Sequence, residues 1–384
     1  MGLTAAGLFA GIGGIEAGLG LSGVRPDLFC EAWEPARQVL QERFPQVPIH
    51  GDVTTLKSLP PVDLVTAGFP CTDLSQAGRT AGLDGKASGL VWEVFRLLSA
   101  RKPPDWVLIE NVRNMLPLSG GAAMATVVAQ LEQRGYSWAY RVVDSRFTGV
   151  PQRRQRVILL ASRVGDPRTV LHVDDAGERL DYRADAFGFY WTEGLRGLGW
   201  AQDAVPTLKG GSTIGIPSAP GIWIPGAPEG MRLVKPTLAD AEAMQGLPRG
   251  WTSAVTGARV AGSRWKLVGN AVTVGVSRWV GDRLASPGAP STTYDILNPG
   301  DRWPLAAAGA NGIRWRADLS MFPRHDPYQH LSELITPDEL QPIPFRGIAG
   351  FHDRLSRGSL RLDEDFRLDV KKHVAFMERH QAAS

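Results

Sequence analysis

The stretch Asp63-Leu-Val-Thr-Ala-Gly-Phe-Pro-Cys71 contains the signal from which the fold can be worked out. The apolar run from Val62 to Ala67 is typical of a short buried strand, and Gly68 ends that strand. Pro70 then restricts the turn immediately before Cys71. Open α/β sheets bind ligands at the carboxyl ends of their strands, so this order places a thiol beside a ligand. A cysteine in a loop can also be an ordinary small residue, and the other motifs decide between these interpretations.

Composition limits the classes of protein that the chain can belong to. It has 384 residues, a formal net charge of +3 and two cysteines, Cys30 and Cys71. Any binding to a polyanion must therefore depend on local basic clusters. Two cysteines without a Cys-x-x-Cys spacing argue against a disulfide framework or a zinc site, so we expect a reducing compartment and no metal. The sequence shows no signal peptide and no membrane-spanning run, which predicts a cytoplasmic, nucleoid-associated protein that does not bind membranes.

A strand, a glycine turn and a helix open the chain. The strand covers 3–10, the turn is Gly11-Ile-Gly13-Gly14, and a helix begins at Ile15. Glycines let the backbone approach a nucleotide cofactor, and the helix amino end offers free N–H groups. Glu31, roughly 20 residues after the glycines, is placed to bind a ribose. Two further side chains, Trp33 and Asp52, could contact adenine. Alternatively, Glu31, Trp33 and Asp52 could simply begin or cap helices.

A second buried strand and a basic cluster follow. The strand Asp105–Val112 ends in Glu110-Asn111, and Glu110 either caps the next helix or faces the ligand crevice. The arginines between 153 and 163 either decorate a solvated strand edge or contact phosphates. Strands and helices alternate through this half of the chain, which predicts an α/β fold with a doubly wound, mostly parallel sheet.

The periodicity fades after residue 164, where aromatic residues gather around a flexible Gly210-to-Gly215 segment. We therefore divide the chain into a catalytic and cofactor-binding domain (1–164), an inserted smaller domain (165–233), a return to the catalytic domain (234–284) and a C-terminal extension (285–384). The extension contains no recognisable chemistry in its sequence, and its role stays open.

Five motifs in collinear order resemble the DNA cytosine-5 methyltransferases of the bacterial restriction-modification or orphan type. They are Phe9-Ala-Gly-Ile-Gly-Gly14, Gly68-Phe-Pro-Cys71, Glu110-Asn-Val112, Gln152-Arg-Arg-Gln-Arg156 and Gly269-Asn-Ala-Val272. The resemblance covers residues 3 to 284. It implies a class I S-adenosylmethionine-dependent, Rossmann-like methyltransferase with the insertion as its target-recognition domain. One difference concerns the second motif, in which Glu31 and Trp33 are separated by Ala32, so which residue holds the ribose is open.

The resemblance also implies roles for individual residues. Cys71 would be the nucleophile, and Glu110, Arg154 and Arg156 the other catalytic residues, whereas Cys30 lies in an apolar strand and is expected in the core. S-adenosyl-L-methionine would contact Phe9, Ala10, Gly11, Gly13, Gly14, Ile15, Glu31, Trp33, Asp52, Val53, Gly68, Pro70, Leu90, Asn270 and Ala271. DNA would contact Ser75, Gln76, Arg153 and Arg163.

The expected partner is double-stranded DNA, bound by a monomer that acts alone or beside a restriction endonuclease or other phage-defence proteins. Two alternatives remain. An RNA (tRNA) cytosine-5 methyltransferase is disfavoured by the long insertion, and a catalytically silent DNA-binding subunit is disfavoured because Cys71 and Glu110 are both present. The target DNA sequence cannot be inferred from the insertion.

Overall fold

The computed structural model describes residues 2–69, 89–210, 219–257 and 260–381. Four residues that the sequence places in the site, Pro70, Cys71, Ser75 and Gln76, lie outside these ranges. The described chain divides into two compact units. The first contains Met1–Phe147, Gln155–Glu178 and Ala271–His325, and the second contains Thr148–Arg154, Arg179–Asn270 and Asp326–Ser384.

The strands and helices are numbered in chain order. The strands are β1 Thr4–Leu8, β2 Arg25–Cys30, β3 Ile49–His50, β4 Leu64–Ala67, β5 Trp106–Val112, β6 Ser137–Asp144, β7 Gln152–Arg153, β8 Gln155–Ser162, β9 Phe187–Phe189, β10 Ala201–Gln202, β11 Val205–Pro206, β12 Gly221–Trp223, β13 Leu233–Lys235, β14 Tyr294–Ile296, β15 Ala306–Ala310, β16 Ile313–Ala317 and β17 Gln341–Pro342. The helices are α1 Gly14–Leu21, α2 Glu34–Arg43, α3 Leu90–Leu98, α4 Ala122–Glu132, α5 Arg168–Leu171, α6 Leu238–Met244, α7 Val260–Asn270, α8 Val274–Ala285, α9 Leu331–Leu334, α10 Phe345–Arg357 and α11 Glu364–Gln381.

A ten-stranded sheet forms the centre of the first unit, in the order β14-β16-β15-β6-β8-β5-β4-β1-β2-β3. Strands β3, β2, β1, β4 and β5 are parallel. From β5 outward every pairing is antiparallel. The predicted α/β fold is confirmed, but the sheet is mixed rather than mostly parallel, because β8 runs back beside β5 and the C-terminal segment adds three more antiparallel strands.

Helices cover both faces of this sheet, as a doubly wound fold requires. Apolar side chains of α3 and α4 pack on one face, and those of α1, α5 and α8 pack on the other. Helix α8 and the residues just before it approach α1 closely, because the positions of α1 that face them are the glycines Gly14 and Gly18. A Cβ on Gly18 would collide with Val274 O, and one on Gly14 would lie 2.6 Å from Val272 O. This packing holds the amino end of α1, and hence the glycine turn, against the segment that follows residue 270.

The C-terminal extension belongs to the first unit as far as His325 and adds strands to its sheet. Strand β15 pairs along β6, for example Ala308 with Ala139, and β16 and β14 continue from it. The remainder, from Asp326 onward, belongs to the second unit. Residues 285–384 are therefore shared between two units, a division that the sequence does not predict.

The second unit contains a five-stranded sheet in the order β10-β9-β12-β13-β17 and a two-stranded pair, β11-β7. Its core gathers aromatic side chains of the insertion, including Phe189 and Trp223, against Phe351 of α10 and Phe366 of α11. The sequence predicts that the insertion begins at residue 165, whereas this unit resumes at Arg179. The reason is that α5 buries apolar side chains against the first sheet. Across the described residues, no helix is both long and apolar enough to cross a membrane.

Candidate active site

The glycine turn after β1 has an unusual backbone. Phe9, Gly11 and Gly13 have φ angles of 56°, 57° and 77°, in the left-handed region that L-residues rarely adopt. A Cβ on Gly11 would meet no atom within 4 Å, so this residue faces open space. A Cβ on Gly13 would lie 2.5 Å from the ring of Phe44, and Gly14 packs on Val272 as described above. Gly11 is therefore the glycine of this turn that leaves room for a ligand, and the other two are needed for packing.

Glu31 lies immediately after β2 and links two pieces of backbone. Its Oε2 accepts from the Gly11 N–H at 2.8 Å, and its Oε1 accepts from the Trp33 N–H, also at 2.8 Å. Trp33 itself caps the amino end of α2. The sequence places Glu31 beside the glycine turn, and the structure brings the two together. The carboxylate also fixes the turn, a role that the motif alone does not indicate.

Asp52 lies two residues after β3, at the same edge of the sheet. Its Oδ1 accepts from the Thr54 N–H at 2.8 Å and from the Thr54 hydroxyl at 2.7 Å. These hydrogen bonds lower the pKa of the Asp52 carboxyl. The neighbouring Val53 is 5% exposed and belongs to the apolar core. Asp52 thus caps a turn, one of its two sequence interpretations, while remaining exposed to solvent.

Glu110 lies near the end of β5 and forms an ion pair with Arg156, whose Nε is 2.7 Å from Glu110 Oε1. Arg156 lies near the start of β8, and the antiparallel register pairs it with Val112. Glu110 Oε2 would lie 3.7 Å from a Cβ on Gly68, so the carboxylate reaches the end of β4 as well. The predicted acid, one predicted arginine and the glycine before the cysteine loop therefore meet at one point of the sheet edge.

Asn111 is a site residue that the sequence analysis did not single out. Its side chain is buried, and its Nδ2 donates to the Phe69 carbonyl at 3.1 Å. Phe69 also contacts Phe9 edge-to-face, with 6.5 Å between the ring centroids. Asn111 and Phe9 thus hold the backbone two residues before Cys71. In the sequence, the position of this amide directly after the strand-end acid Glu110 was the signal that could have indicated its role.

Two predicted arginines belong to the second unit. Arg154 is 1% exposed, and its Nη1 donates to the carbonyls of Leu208 and Gly269 at 3.2 and 3.1 Å. The resemblance implies that Arg154 is catalytic. In the structure its guanidinium is buried and contacts backbone carbonyls, including that of the residue before Asn270. Arg153 donates to the Gly199 carbonyl at 3.1 Å.

Arg163 lies away from the other predicted residues. It directly follows β8, and its backbone N–H donates to Asp105 O, ahead of the start of β5. Because β8 is antiparallel to β5, Arg163 is at the opposite edge of the sheet from Glu110. Its guanidinium lies over the ring of Tyr136, 5.9 Å from the centroid. The structure does not bring Arg163 to the site, since the basic cluster seen in the sequence spans the whole length of a strand.

The other predicted cofactor residues are distributed around the same region of the chain. Ala10 is half-buried beside the turn and Ile15 is buried in α1, while Leu90 is exposed at the first position of α3. Asn270 ends α7 in the second unit, and Ala271 begins the segment of the first unit that packs on α1.

Cys30, the last residue of β2, is 2% exposed, which confirms the prediction that it belongs to the core. Burial raises the pKa of its thiol to about 11, and the nearby carboxylates of Glu31 and Asp52 add to the increase. A thiol that stays protonated near neutral pH is a poor nucleophile. Cys30 is therefore unsuited to covalent catalysis.

Glu16 is a second residue that sequence analysis missed. It lies in α1, is 2% exposed and accepts from the Thr66 hydroxyl at 2.5 Å through Oε1. Its Oε2 is buried without a hydrogen-bond partner in the described chain. Burial raises the pKa of this carboxyl, so the protonated form is favoured. Gly7 on β1 provides the space, because a Cβ there would lie 2.5 Å from Glu16 Oε1.

Comparison with known proteins extends these observations. Residues 3–181 match the family model for C-5 cytosine-specific DNA methylase. Type II methyltransferase M2.BsuMI of Bacillus subtilis is 43% identical over 91% of this chain and 92% of its own length. Type II methyltransferase M.MspI of Moraxella sp. is 26% identical over 72% of this chain and 69% of its own.

Solved structures show the same fold at low sequence identity. The Dnmt2 methyltransferase of S. pombe superimposes with a TM-score of 0.53 at 16% identity, over 74% of this chain and 98% of that one. A mutant of Spodoptera frugiperda DNMT2 gives a TM-score of 0.51 at 15% identity with the same coverage. The family match, the long alignment with M2.BsuMI and the mixed ten-stranded sheet agree, and the chain belongs to the C-5 cytosine-specific DNA methylases and is a DNA cytosine-5 methyltransferase.

Proposed function

We propose that the protein transfers the methyl group of S-adenosyl-L-methionine to carbon 5 of a flipped-out cytosine in duplex DNA, through a covalent adduct with Cys71. One observation carries the proposal: the Glu110–Arg156 pair and the Asn111–Phe69 hydrogen bond meet at the end of β4. An acid, a cation and an anchored backbone thus surround the position from which the chain continues to Cys71.

The reaction needs a nucleophile and an acid because carbon 5 of cytosine is weakly nucleophilic. When the Cys71 thiolate adds to carbon 6, the electrons of the 5,6 double bond become available at carbon 5 as an enamine. Glu110 then offsets the developing charge with a proton or hydrogen bond at N3, and Arg156 orients its carboxyl. After methyl transfer, a base removes the proton from carbon 5 and the thiolate leaves carbon 6.

S-adenosyl-L-methionine fits the residues at the glycine turn. Gly11 faces open space, the half-buried Glu31 carboxylate lies beside it, and Asp52 is exposed at the same sheet edge. Glu31 would bind the ribose hydroxyls and Asp52 the adenine amine. The cofactor supplies a methyl group on a sulfonium, which an enamine carbon can take without metal or redox chemistry.

Recognition of DNA completes the proposal. A cytosine within a duplex hides carbon 6, so the base must be flipped out at a cost of a few kcal/mol. We assign target recognition to the insertion, residues 165–233, and the closing motifs to 234–284. Ser75 and Gln76 would fill the gap left by the base, and Arg153 would contact phosphate. The enzyme would act as a monomer, and its proposed partner is a cognate restriction endonuclease.

Trapping with 5-fluorocytosine tests the mechanism, because fluorine on carbon 5 cannot leave as a cation. With S-adenosyl-L-methionine and a duplex that carries the analogue at the target, enzyme and DNA should form a complex that survives denaturing electrophoresis. Cys71→Ala should abolish both the complex and methylation. The matched Cys30→Ala variant should keep both, at a stability cost of roughly 1–2 kcal/mol for a small buried side chain.

Three results would contradict the proposal. An adduct in the Cys71→Ala protein, or an adduct mapped to another residue, would overturn the nucleophile. Methylation of tRNA and not of duplex DNA would overturn the substrate.

A further inference from the structure

A groove lies at the edge of the ten-stranded sheet where β5 ends, and it is lined in part by the C-terminal extension. It has a volume of about 530 Å³, and its walls are Arg113, Asn114, Leu116, Pro117, Trp303, Pro304 and Leu305. Arg113 directly follows β5, three residues after Glu110. Leu305 precedes β15, and its carbonyl accepts from the Val142 N–H at 2.7 Å, near the end of β6. Since β5 and β6 run in the same direction, the groove opens at the sheet edge that holds Glu110.

The aromatic wall of the groove is anchored by ring packing and one hydrogen bond. Trp303 packs edge-to-face against Trp138 and Tyr140, with ring centroids 6.0 and 6.1 Å away. Its Nε1 donates to the Gly121 carbonyl at 3.0 Å. These contacts leave the ring partly exposed, in a fixed orientation, beside Pro304. A flat apolar surface of this kind suits a sugar or a base.

Arg113 in the groove wall, Arg314 over the Trp303 ring and Arg302 beside Trp303 in the chain have no carboxylate partner among the described residues. Arg113 makes one side-chain hydrogen bond there, from Nη1 to Gln155 Oε1 at 2.6 Å. Arg314 places its guanidinium 5.1 Å from the Trp303 ring centroid, and Arg302 is exposed next to Trp303. Within the described ranges, no carboxylate neutralises these three side chains, and a phosphate could pair with each of them.

The carboxylates near the groove, Asp301 and Glu132, bind other groups of the protein. Asp301 pairs with Arg316 at 2.9 Å. Glu132 accepts from the Trp138 indole at 2.8 Å and from the Gly312 N–H at 3.0 Å. The groove therefore combines uncompensated positive charge with an apolar wall, and a polyanion with apolar sugars matches both.

We infer that this groove binds the sugar–phosphate backbone of the DNA next to the target cytosine, with phosphates on the arginines and a deoxyribose against Trp303. The inference rests on the proposed function, because it takes the DNA to be centred on Glu110. Arg113 follows Glu110 by three residues, and three residues of extended chain span about 10 Å. This separation corresponds to about three nucleotides of DNA at 3.4 Å each. Residues 285–325 thereby acquire a function, namely extending the DNA-binding surface beyond the five motifs.

The test is a phosphate scan of a duplex whose target sequence has been identified by sequencing DNA that the protein has modified. Methylphosphonates replace one phosphate at a time within four nucleotides on either side of the target. Dissociation constants are measured for the native protein, for an Arg113→Gln/Arg314→Gln variant and for Arg101→Gln. Arg101 is an exposed arginine ahead of β5, at the opposite edge of the sheet, and serves as the matched control.

We expect one or two neutralised phosphates, within about three nucleotides of the target, to weaken native binding and to have no further effect in the double variant. The slope of log Kd against log salt should also fall by about 0.9 for each phosphate that the variant no longer neutralises. Arg101→Gln should behave as the native protein at every phosphate. Additive effects, an unchanged salt slope, or a protein partner seated in the groove while DNA affinity is unaffected would overturn the inference. Failure of the native protein to methylate any DNA would instead refute the proposed function.

Discussion

Arg156 Nε lies 2.7 Å from Glu110 Oε1, so the acid at the end of β5 is held by a cation that comes from the antiparallel strand beside it. The side chains of Glu110 and Arg156 are only about a tenth exposed. The pairing leaves Glu110 Oε2 directed towards Gly68, on the side of the cysteine loop. The proposed role of Glu110 at N3 of the flipped base uses this second oxygen, which the ion pair leaves free of Arg156 Nε.

The first prediction follows from that geometry. Glu110→Gln keeps the shape of the side chain and removes the acid, so methyl transfer should slow by roughly the hundredfold typical of a lost general acid. Single-turnover transfer of labelled methyl groups to target DNA gives the rate. Glu42→Gln, on the exposed side of α2, is the control and should behave as the native enzyme. A full-rate Glu110→Gln enzyme would exclude Glu110 as the acid.

The second prediction concerns the Asn111–Phe69 hydrogen bond. Asn111→Ala leaves a buried carbonyl unpaired, which costs about 1–3 kcal/mol, so methyl transfer should slow by about five- to a hundredfold. Calorimetry should show that S-adenosyl-L-methionine still binds, because the glycine turn is untouched. Gln133→Ala removes an exposed amide and should change neither quantity. If loss of Asn111 impaired cofactor binding and left the transfer rate intact, its role would not be to position the cysteine loop.

The sequence predicted most of the elements that end at the Glu110 edge of the sheet, because each of them is specified by residues adjacent in the chain. A strand with a glycine turn, a buried strand ending in Glu110 and an apolar strand containing Cys30 each depend on a few adjacent residues. The structure contains all three as β1, β5 and β2.

Long-range pairing explains what the sequence could not predict. Arg154 and Arg156 look equivalent in the motif, but only Arg156 belongs to β8, whereas Arg154 is buried among carbonyls more than 50 residues away in the chain. Likewise, Ala308 pairs with Ala139 across the sheet, and the sequence around neither residue indicates that the two strands are neighbours. Alternation along a strand shows that one face is buried, but it does not identify the neighbouring strand.

The third prediction uses the buried carboxyl of Glu16. Its pKa is raised in the folded protein, so the native state retains a proton that the unfolded state releases, and stability should fall as the pH rises above the unfolded value. For one proton the slope is at most about 1.4 kcal/mol per pH unit. Glu16→Gln can keep the hydrogen bond from Thr66 without any charge. Urea unfolding should show the variant more stable than the native protein at pH 8 and similar at pH 4, and an unchanged pH dependence would contradict this.

The fourth prediction separates the two cysteines by reactivity. With a pKa of about 11, only about one thousandth of Cys30 is thiolate at pH 8, and the side chain is also buried. Iodoacetamide should therefore modify Cys71 in the folded protein and Cys30 only after unfolding in urea, as mass spectrometry of peptides can show. Rapid labelling of Cys30 in the folded protein would contradict its assignment to the core.

The last prediction locates the cofactor. A Cβ on Gly11 meets no protein atom within 4 Å, so Gly11→Ala costs the protein only the strain of φ +57°, roughly 1–2 kcal/mol. If S-adenosyl-L-methionine lies against this turn, the new methyl group should lower its affinity at least about tenfold. Gly23→Ala is a matched control, because Gly23 has a φ of +86° and equally open surroundings after α1. Calorimetry on both folded variants decides the matter: equal affinities would place the cofactor elsewhere, whereas a loss confined to Gly11→Ala would place it on the turn that Glu31 holds.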